Sequence, residues 1–237
     1  SCHILHINGK NVLLDCGLYQ GKGEKVFANE TFDFNPKEVD YVVLSHAHID
    51  HSGRIPLLYK MGFKGEILST QATMDLCSIM LPDSGHIHEF EVDWKNKKRK
   101  RQGLKTLEPL YTFKLAELSL SLFRAFPYDE MIDVFDGLKI RFRDAGHLLG
   151  SAIVELYMTE KNQEEVKLVY SGDLGNLNKS IIKDPTIINH TDYLIIETTY
   201  GNRVHPEIKE DLKALLKIIK ETFARGGNVI KIVRAHV

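Results

Sequence analysis

The sequence predicts a layered α/β domain, and three observations support this. Short apolar runs with the length of strands recur along the chain, and single helical segments separate several of them. Asn8 and Gly9 lie between the first two runs, a pair favoured in tight hairpins because both residues adopt positive φ. The chain has 237 residues, 43% of them hydrophobic, which is enough for a sizeable core. Strands alternating with helices, with hairpins among them, indicate sheets covered by helices.

The predicted elements follow in order along the chain. Two strands flank the Asn8-Gly9 turn, and further strands are predicted at 40–44, 66–69, 138–143, 152–157, 166–171 and 193–197. Helices are predicted at 54–60, 72–80, 112–123 and 208–223, the last from apolar residues at helical spacing. No internal repeat or low-complexity linker separates these elements.

Composition excludes several classes of protein. The net charge of -1 argues against a strongly basic nucleic-acid binder, although local charge matters more than the sum. No apolar run approaches the length of a membrane span, and residues 1–20 do not resemble a signal peptide, so we expect a cytoplasmic protein without a membrane partner. Cys2, Cys16 and Cys77 are too widely spaced to imply a disulfide framework or a metal knuckle, and free thiols are expected.

Residues 81–109 are the one segment of unusual composition. Basic side chains follow one another there almost without interruption, at Lys95, Lys97, Lys98, Arg99, Lys100 and Arg101. Taken alone, this run fits a solvated helix face and a phosphate-binding surface equally well. Trp94, beside it, can stack on a base or pack beneath the segment.

The stretch SHAHIDHSG at 45–53 contains three histidines and an aspartate directly after an apolar run. Histidine is the commonest metal ligand in proteins, and imidazole with carboxylate suits zinc and similar ions. Three other apolar runs end in one ligand-type residue beside glycine, namely LLDCG with Asp15, RDAGH with His147 and SGDLG with Asp173. Side chains at strand ends can converge on one pocket, so these motifs predict a site for two metal ions.

The order of these motifs resembles the metallo-β-lactamase superfamily of hydrolases, whose fold is an αββα sandwich. His-x-His-x-Asp-His is followed there by a lone histidine and then a lone aspartate. The resemblance implies that one metal is bound by His46, His48 and His147, and the second by Asp50 and His51, with Asp173 bridging the two. Asp15 matches a family aspartate that orients a ligand histidine. Zinc is the expected metal, with manganese as the alternative.

The chemistry implied by the resemblance is hydrolysis. Two cations about 3.5 to 4 Å apart can lower the pKa of a shared water to near neutrality and stabilise both oxygens of an in-line displacement. The resulting hydroxide would attack phosphorus or a carbonyl carbon. The resemblance implies that the catalytic positions are Asp15, Asp50, Asp173 and Glu197.

A second resemblance points to the substrate. DYLIIETTYGNR at 192–203 resembles the first motif of the β-CASP branch, whose members process nucleic acids, and Glu197 matches the acid that closes a strand before the inserted cap domain. LCSIMLPDSGHIHEFE and RFRDAGHLLGSAIVEL also look like bacterial and archaeal RNA nucleases of this branch. The implied partner is RNA, expected to be single-stranded. Its phosphates are expected at Lys97, Lys98, Arg99, Lys100 and Arg101.

The same resemblance predicts the domain organisation. We expect a metallo-β-lactamase domain at 1–197 and the start of a β-CASP cap at 198–237. Because family members are longer, we expect a truncated chain without the first strand, the late strands and most of the cap. Such a chain should be marginally stable and cleave poorly. Tyr200 and Arg203 are candidates for substrate contact or for a hinge into the cap.

Three functions are consistent with these features. The first is a dinuclear-zinc ribonuclease, supported by the ligand set, Glu197 and the basic run. The second is a hydrolase of small esters or thioesters, which would need neither Glu197 nor the basic run. The third is a catalytically incomplete fragment that binds RNA without cutting it, although all six ligand positions are retained. DNA as a substrate and assembly into a homo-oligomer are left open.

Overall fold

The structure is a computed structural model that describes residues 1–20, 29–161, 163–179, 181–199, 201–202 and 208–230. The chain divides into two compact units, Ser1–Ile196 and Glu197–Val237. The assignment of these units as a metallo-β-lactamase domain and the start of a cap stays a prediction. Tyr200 and Arg203 lie outside the described residues.

The first unit contains two five-stranded sheets. One has the order β1 (His3–Ile7), β2 (Lys10–Leu14), β3 (Tyr41–Val43), β4 (Glu66–Thr70) and β5 (Phe123–Phe126), parallel except for the β1–β2 hairpin. The other comprises β6 (Ile132–Phe135), β7 (Leu138–Asp144), β8 (Ala152–Met158), β9 (Val166–Tyr170) and β10 (Tyr193–Ile195). Its spatial order is β10-β9-β8-β7-β6, and only β10 pairs in parallel, with β9.

The described residues of this unit form four helices: α1 (Ile49–Ser52), α2 (Ile55–Lys60), α3 (Gln71–Arg101) and α4 (Phe113–Ser119). Short 3-10 turns occupy Pro36–Glu38 and Leu120–Leu122. Helix α5 (Ile208–Ala224) lies in the second unit. In the part of the chain that the structure describes, none of these helices is both long and apolar enough to cross a membrane.

Side-chain alternation along β2 explains how the layers pack. Leu13 is buried with residues of α2, α3 and α4, whereas Val12 and Leu14 are buried with residues of the second sheet such as Phe142. The first sheet is therefore covered on both faces, which is why its strands are continuous apolar runs in the sequence. This arrangement confirms the predicted α/β class with two facing sheets.

The observed elements differ from the predictions mainly at α1, which was not predicted, and at α3, α4, β5 and β6. The helix predicted at 72–80 continues through Pro82 to Arg101, so HIHEF is helical. A Cβ on Gly85 would lie 2.7 Å from the Phe113 nitrogen, so this helix is packed tightly against α4 at a position three residues after Pro82. The helix predicted at 112–123 ends at Ser119, and strands β5 and β6 were not predicted.

Candidate metal centre

Four loops at strand ends bring the predicted ligands together. Asp15 directly follows β2, and the histidine motif follows β3 and forms α1. In the second sheet, the loop after β7 carries His147 and the loop after β9 carries Asp173. Because the two sheets face each other, side chains more than 100 positions apart in sequence meet at one edge of the sandwich.

The side chains form two groups that could each hold a cation. One consists of His46, His48, His147 and Asp173, the other of Asp50, His51 and Asp173, and within each group the ligand atoms lie within 4.8 Å of one another. Asp173 belongs to both groups. This grouping coincides with the one implied by the family resemblance.

Distances in the first group fit a tetrahedral ion. His48 Nδ1 lies 3.0 Å from His46 Nε2 and 3.2 Å from His147 Nε2. Asp173 Oδ2 lies 3.7 Å from His46 Nε2 and 3.6 Å from His147 Nε2. Ligands about 2.0 to 2.1 Å from a tetrahedral zinc are about 3.3 Å apart, so the donor set has the right spacing.

The second group is more open. His51 Nε2 lies 3.1 Å from Asp173 Oδ1 and 3.9 Å from Asp50 Oδ2. The Asp50 side chain is 46% exposed, whereas that of His51 is 7% exposed. Asp50 therefore lies on the solvent side of the group, where a substrate would approach.

Asp15 orients His51. Its buried carboxylate accepts hydrogen bonds from His51 Nδ1 at 2.6 Å, Tyr170 Oη at 2.5 Å, Ser45 N at 2.7 Å and Ser45 Oγ at 2.8 Å. With Nδ1 held by Asp15, the Nε2 atom of His51 faces Asp173. Burial alone would raise the pKa of Asp15, but the hydrogen bond from His51 and its charge hold the pKa below the usual range.

The protonation states in the cluster follow from burial and from neighbours. Burial, reinforced by nearby His51, lowers the pKa of His46 to about 3, so this imidazole is neutral, as a metal ligand must be. Burial alone would lower the pKa of His51, but hydrogen bonds to Asp15 and Asp173 raise it to about 9. Burial would raise the pKa of Asp173, but His51, His46 and His147 hold it well below its usual range. At neutral pH, Asp15 and Asp173 are therefore ionised and His51 carries a proton on each ring nitrogen, so a metal ion bound at His51 Nε2 would have to displace the proton there.

Two glycines allow the loops to approach so closely. A Cβ on Gly17 would lie 1.6 Å from the carbonyl oxygen of Asp50, and a Cβ on Gly175 would lie 1.6 Å from that of Gly146. Any side chain at either position would push a ligand loop away. This explains why glycine follows the aspartate in both LLDCG and SGDLG.

Several supporting residues were not predicted from the sequence. Tyr170 and Ser45 bind Asp15, as described above. Thr70 and Thr73, at the start of α3, donate to the Gly150 carbonyl at 2.7 and 2.9 Å and so hold the His147 loop. Ser45 lies inside the recognised motif, and Thr70 has the Ser/Thr signal of a helix N-cap, whereas nothing in the local sequence marks Tyr170.

The remaining predicted residues lie elsewhere. Glu197 is the first residue of the second unit, and its role stays a prediction. Lys97, Lys98, Arg99, Lys100 and Arg101 form the last turns of α3. They are separated from the metal centre by most of the length of that helix.

Comparison with known proteins adds independent observations. A model of the metallo-β-lactamase superfamily matches residues 1–69. Ribonuclease TTHA0252 of Thermus thermophilus is 37% identical over 230 residues, which cover 97% of this chain and 48% of that protein. Transcription termination factor FttA of Methanocaldococcus jannaschii is 31% identical over 97% of this chain and 34% of its own length. The chain therefore spans about half the length of the first relative and about a third of the second.

Two further matches are more distant. Endoribonuclease YSH1 of Eremothecium gossypii is 29% identical over 97% of this chain and 28% of its own length. Among solved structures, MEM-A1, a subclass B3 metallo-β-lactamase from a soil metagenome, aligns with 70% of this chain and 54% of its own. The TM-score of that alignment is 0.43, at 18% identity.

Proposed function

Since the chain belongs to the β-CASP branch of the metallo-β-lactamase superfamily, we propose that it is part of a metal-dependent phosphodiesterase that cleaves RNA. The observation that carries the proposal is the convergence of six histidine and aspartate side chains from three strand-end loops, at spacings that fit a divalent ion. The similarity to proteins named ribonuclease and endoribonuclease supports RNA as the substrate.

Superfamily membership and the cluster together indicate divalent metal binding. We propose two zinc ions, with manganese as the alternative, because nitrogen-rich donor sets favour zinc. His46, His48, His147 and Asp173 would hold the first, and Asp50, His51 and Asp173 the second. When bound, such ions activate water and stabilise negative charge on phosphate oxygens.

The chain's own residues prepare this site in three ways. Asp15 holds His51 with its Nε2 atom toward Asp173, which removes a rotational degree of freedom from the ligand. Burial keeps His46 neutral, and Asp173 is ionised and shared by both groups. Asp50, partly exposed, would face the substrate. Glu197 is proposed, from the family motif, to support a histidine of the cap.

RNA would also be contacted by the basic end of α3, at Lys97, Lys98, Arg99, Lys100 and Arg101. DNA as a substrate and self-association stay open, and a cytoplasmic location stays a prediction. Hydrolysis of a small ester by the same metals is less well supported, because it would give the basic helix end no role.

The test combines metal analysis with a cleavage assay. We expect the parent chain to bind about two zinc ions and to cut a labelled oligoribonucleotide. Asp173→Ala should retain one ion or none and lose cleavage, because Asp173 is common to both groups. Asp133→Ala is the matched control, since Asp133 is an exposed aspartate of the same sheet outside the cluster, and it should behave like the parent. A parent chain without metal, or cleavage that survives in Asp173→Ala, would overturn the proposal.

A further inference from the structure

The last three turns of α3 carry an exposed aromatic pair. The side chains of Phe90 and Trp94 are 68% and 66% exposed, and they lie four residues apart, on one face of the helix. The rise between them is about 6 Å. Large aromatic side chains exposed together on a helix are unusual unless a partner covers them.

Basic side chains continue the same face. Lys97 and Arg101 follow Phe90 at the i+7 and i+11 positions, so they lie in line with the two rings. The opposite face is already occupied by the loop that follows the helix. Asn96 exchanges hydrogen bonds with the backbone of Leu107 at 2.8 and 2.9 Å, and Arg99 Nε donates to the carbonyl of Lys105 at 2.7 Å. The loop therefore packs on the helix face that carries Asn96 and Arg99, and it leaves the aromatic and basic face exposed.

The charge of this region favours a polyanion. Residues 94–107 contain seven lysines and arginines and no aspartate or glutamate. Within the described residues, Lys97, Lys98, Lys100 and Arg101 form no ion pair, whereas Lys95 pairs with Glu91 at 3.2 Å. This combination of groups suits a single-stranded nucleic acid. Its unpaired bases can stack on the exposed rings whatever their sequence, and its phosphates can contact the unpaired lysines and arginines.

We propose that Phe90, Trp94, Lys97 and Arg101 form a binding face for single-stranded RNA. Bases would stack on the two rings, and phosphates would contact the two cations. The strand has to be single, because bases paired in a duplex do not offer their faces to a protein side chain. The proposal rests on the proposed function for the identity of the polymer.

The position of α3 gives this face a role in substrate selection. The helix starts at the metal centre, where Thr73 binds the Gly150 carbonyl of the His147 loop at 2.9 Å. Trp94 lies about 30 Å further along the helix axis, at 1.5 Å per residue. RNA bound at Trp94 would therefore be held far from the scissile bond, and only strands long enough to span that distance would use both contacts.

Trp94 is the only tryptophan in the sequence, so its fluorescence reports on this face directly. The titration uses Asp173→Ala, to keep the RNA intact, with a fluorescently labelled oligouridine at low salt, and a duplex RNA of equal length for comparison. We expect oligouridine to quench Trp94 and the duplex to quench it far less. Adding Trp94→Ala should weaken oligouridine binding, followed by anisotropy, about 5- to 100-fold, whereas Trp94→Phe should retain most of it.

The charge contribution is tested with a pair of double variants. Lys97→Glu with Arg101→Glu should weaken binding and flatten its dependence on salt concentration. Lys114→Glu with Lys139→Glu changes the net charge equally at exposed lysines away from this face and should have a much smaller effect.

The outcomes separate this inference from the proposed function. Binding with the expected losses in a chain that never cleaves RNA would support the binding face and count against the ribonuclease. Oligouridine binding that is unchanged by Trp94→Ala and by the charge variant would overturn the binding face, whether or not the chain cleaves RNA. If no oligoribonucleotide quenches Trp94, the inference is also overturned, and a protein becomes the better candidate for this surface.

Discussion

Asp15 and Glu155 are both buried carboxylates, and they are held by different kinds of neighbour. Glu155, on β8, accepts hydrogen bonds from Arg141 Nε and Lys167 Nζ, both at 2.6 Å, and these cations lie on the flanking strands β7 and β9. Asp15 accepts from a backbone N–H, two hydroxyls and His51, the one donor among them that carries a positive charge when protonated.

This difference predicts a structural role for Glu155 and a role in cation binding for Asp15. Arg141 and Lys167 compensate the negative charge of Glu155, and all three residues belong to one sheet. Removing the carboxylate would leave these cations without their counter-charge and destabilise that sheet. The groups that donate to Asp15 come from strands or strand-end loops of both sheets. Asp15 in turn orients His51 toward the carboxylates of Asp173 and Asp50. We therefore expect Asp15 to contribute less to the stability of one sheet than to the geometry of the candidate cation site.

The largest effect on the site is expected from Asp15→Asn. Asparagine has nearly the same shape, and with its amide oxygen on the side that accepts from Ser45 N its NH2 group faces His51. This NH2 group cannot accept the Nδ1 proton, so the imidazole would have to place its proton on Nε2, toward Asp173. Zinc affinity, measured by competition with a chromogenic chelator, should fall about 100-fold. Asp192→Asn, which changes an exposed carboxylate that accepts from Lys167 N, is the control and should leave zinc affinity unchanged. If Asp15→Asn bound zinc as tightly as the parent chain, Asp15 would not position His51 for a metal ion.

Glu155→Gln should affect stability instead of metal binding. It leaves two partly buried cations without their counter-charge, which should lower the free energy of unfolding by about 2 kcal/mol, measured by urea titration. Zinc content should not change. Glu117→Gln removes a carboxylate from the exposed Lys114 pair and should change the free energy by less than about 0.5 kcal/mol. A loss of zinc in Glu155→Gln would contradict the purely structural role that we expect of Glu155.

The stabilisation by Glu155 should depend on pH. Burial would raise the pKa of Glu155, but Arg141 and Lys167 hold it below its usual range, so folding favours the ionised form. The stabilisation is therefore fully present above the ordinary glutamate pKa of about 4.3 and is lost as the pH falls through the lowered folded-state pKa. The stability difference between the parent and Glu155→Gln should shrink over that acidic window. A difference that stays constant down to pH 3 would argue against the ion pairs as its source.

The smallest effect is expected from Tyr170→Phe, which removes one of the four hydrogen bonds to Asp15. Zinc affinity should fall about tenfold, because Asp15 would hold His51 less firmly. Tyr111→Phe is the control, since its hydroxyl bonds Ser84 outside the cluster at 2.8 Å. Both variants should lose a similar amount of stability, and only Tyr170→Phe should lose zinc affinity. Equal zinc affinity in the two variants would mean that Tyr170 does not position the site.

Local sequence patterns predicted the ligand set because each ligand carries its own signal. His147 and Asp173 each stand near the end of an apolar run beside glycine, as does Asp15, and the remaining ligands share one motif. The residues that hold these side chains in place by hydrogen bonds carry no such signal. Tyr170 reaches Asp15 from another sheet, 155 positions away, and a tyrosine at the end of a strand is unremarkable by itself.

The length of helix α3 likewise could not be predicted from local sequence. Pro82 and Gly85 both disfavour the interior of a helix, because proline lacks a backbone donor and glycine loses more conformational entropy than other residues. In the structure, the burial of Leu81 and the close approach of Gly85 to Phe113 outweigh these local preferences. Consequently, the basic segment at 95–101 is the end of one long helix and not a separate element.

The sequence by itself determined the α/β class, most of the strands and the identity of the candidate ligands, since these depend on hydrophobic periodicity and on residue types within a few positions of one another. The tertiary structure alone decided the strand order, the grouping of ligands around Asp173, the neutral state of His46 and the exposed face of Phe90 and Trp94. These features depend on burial and on partners distant in sequence, and local patterns contain no information about either.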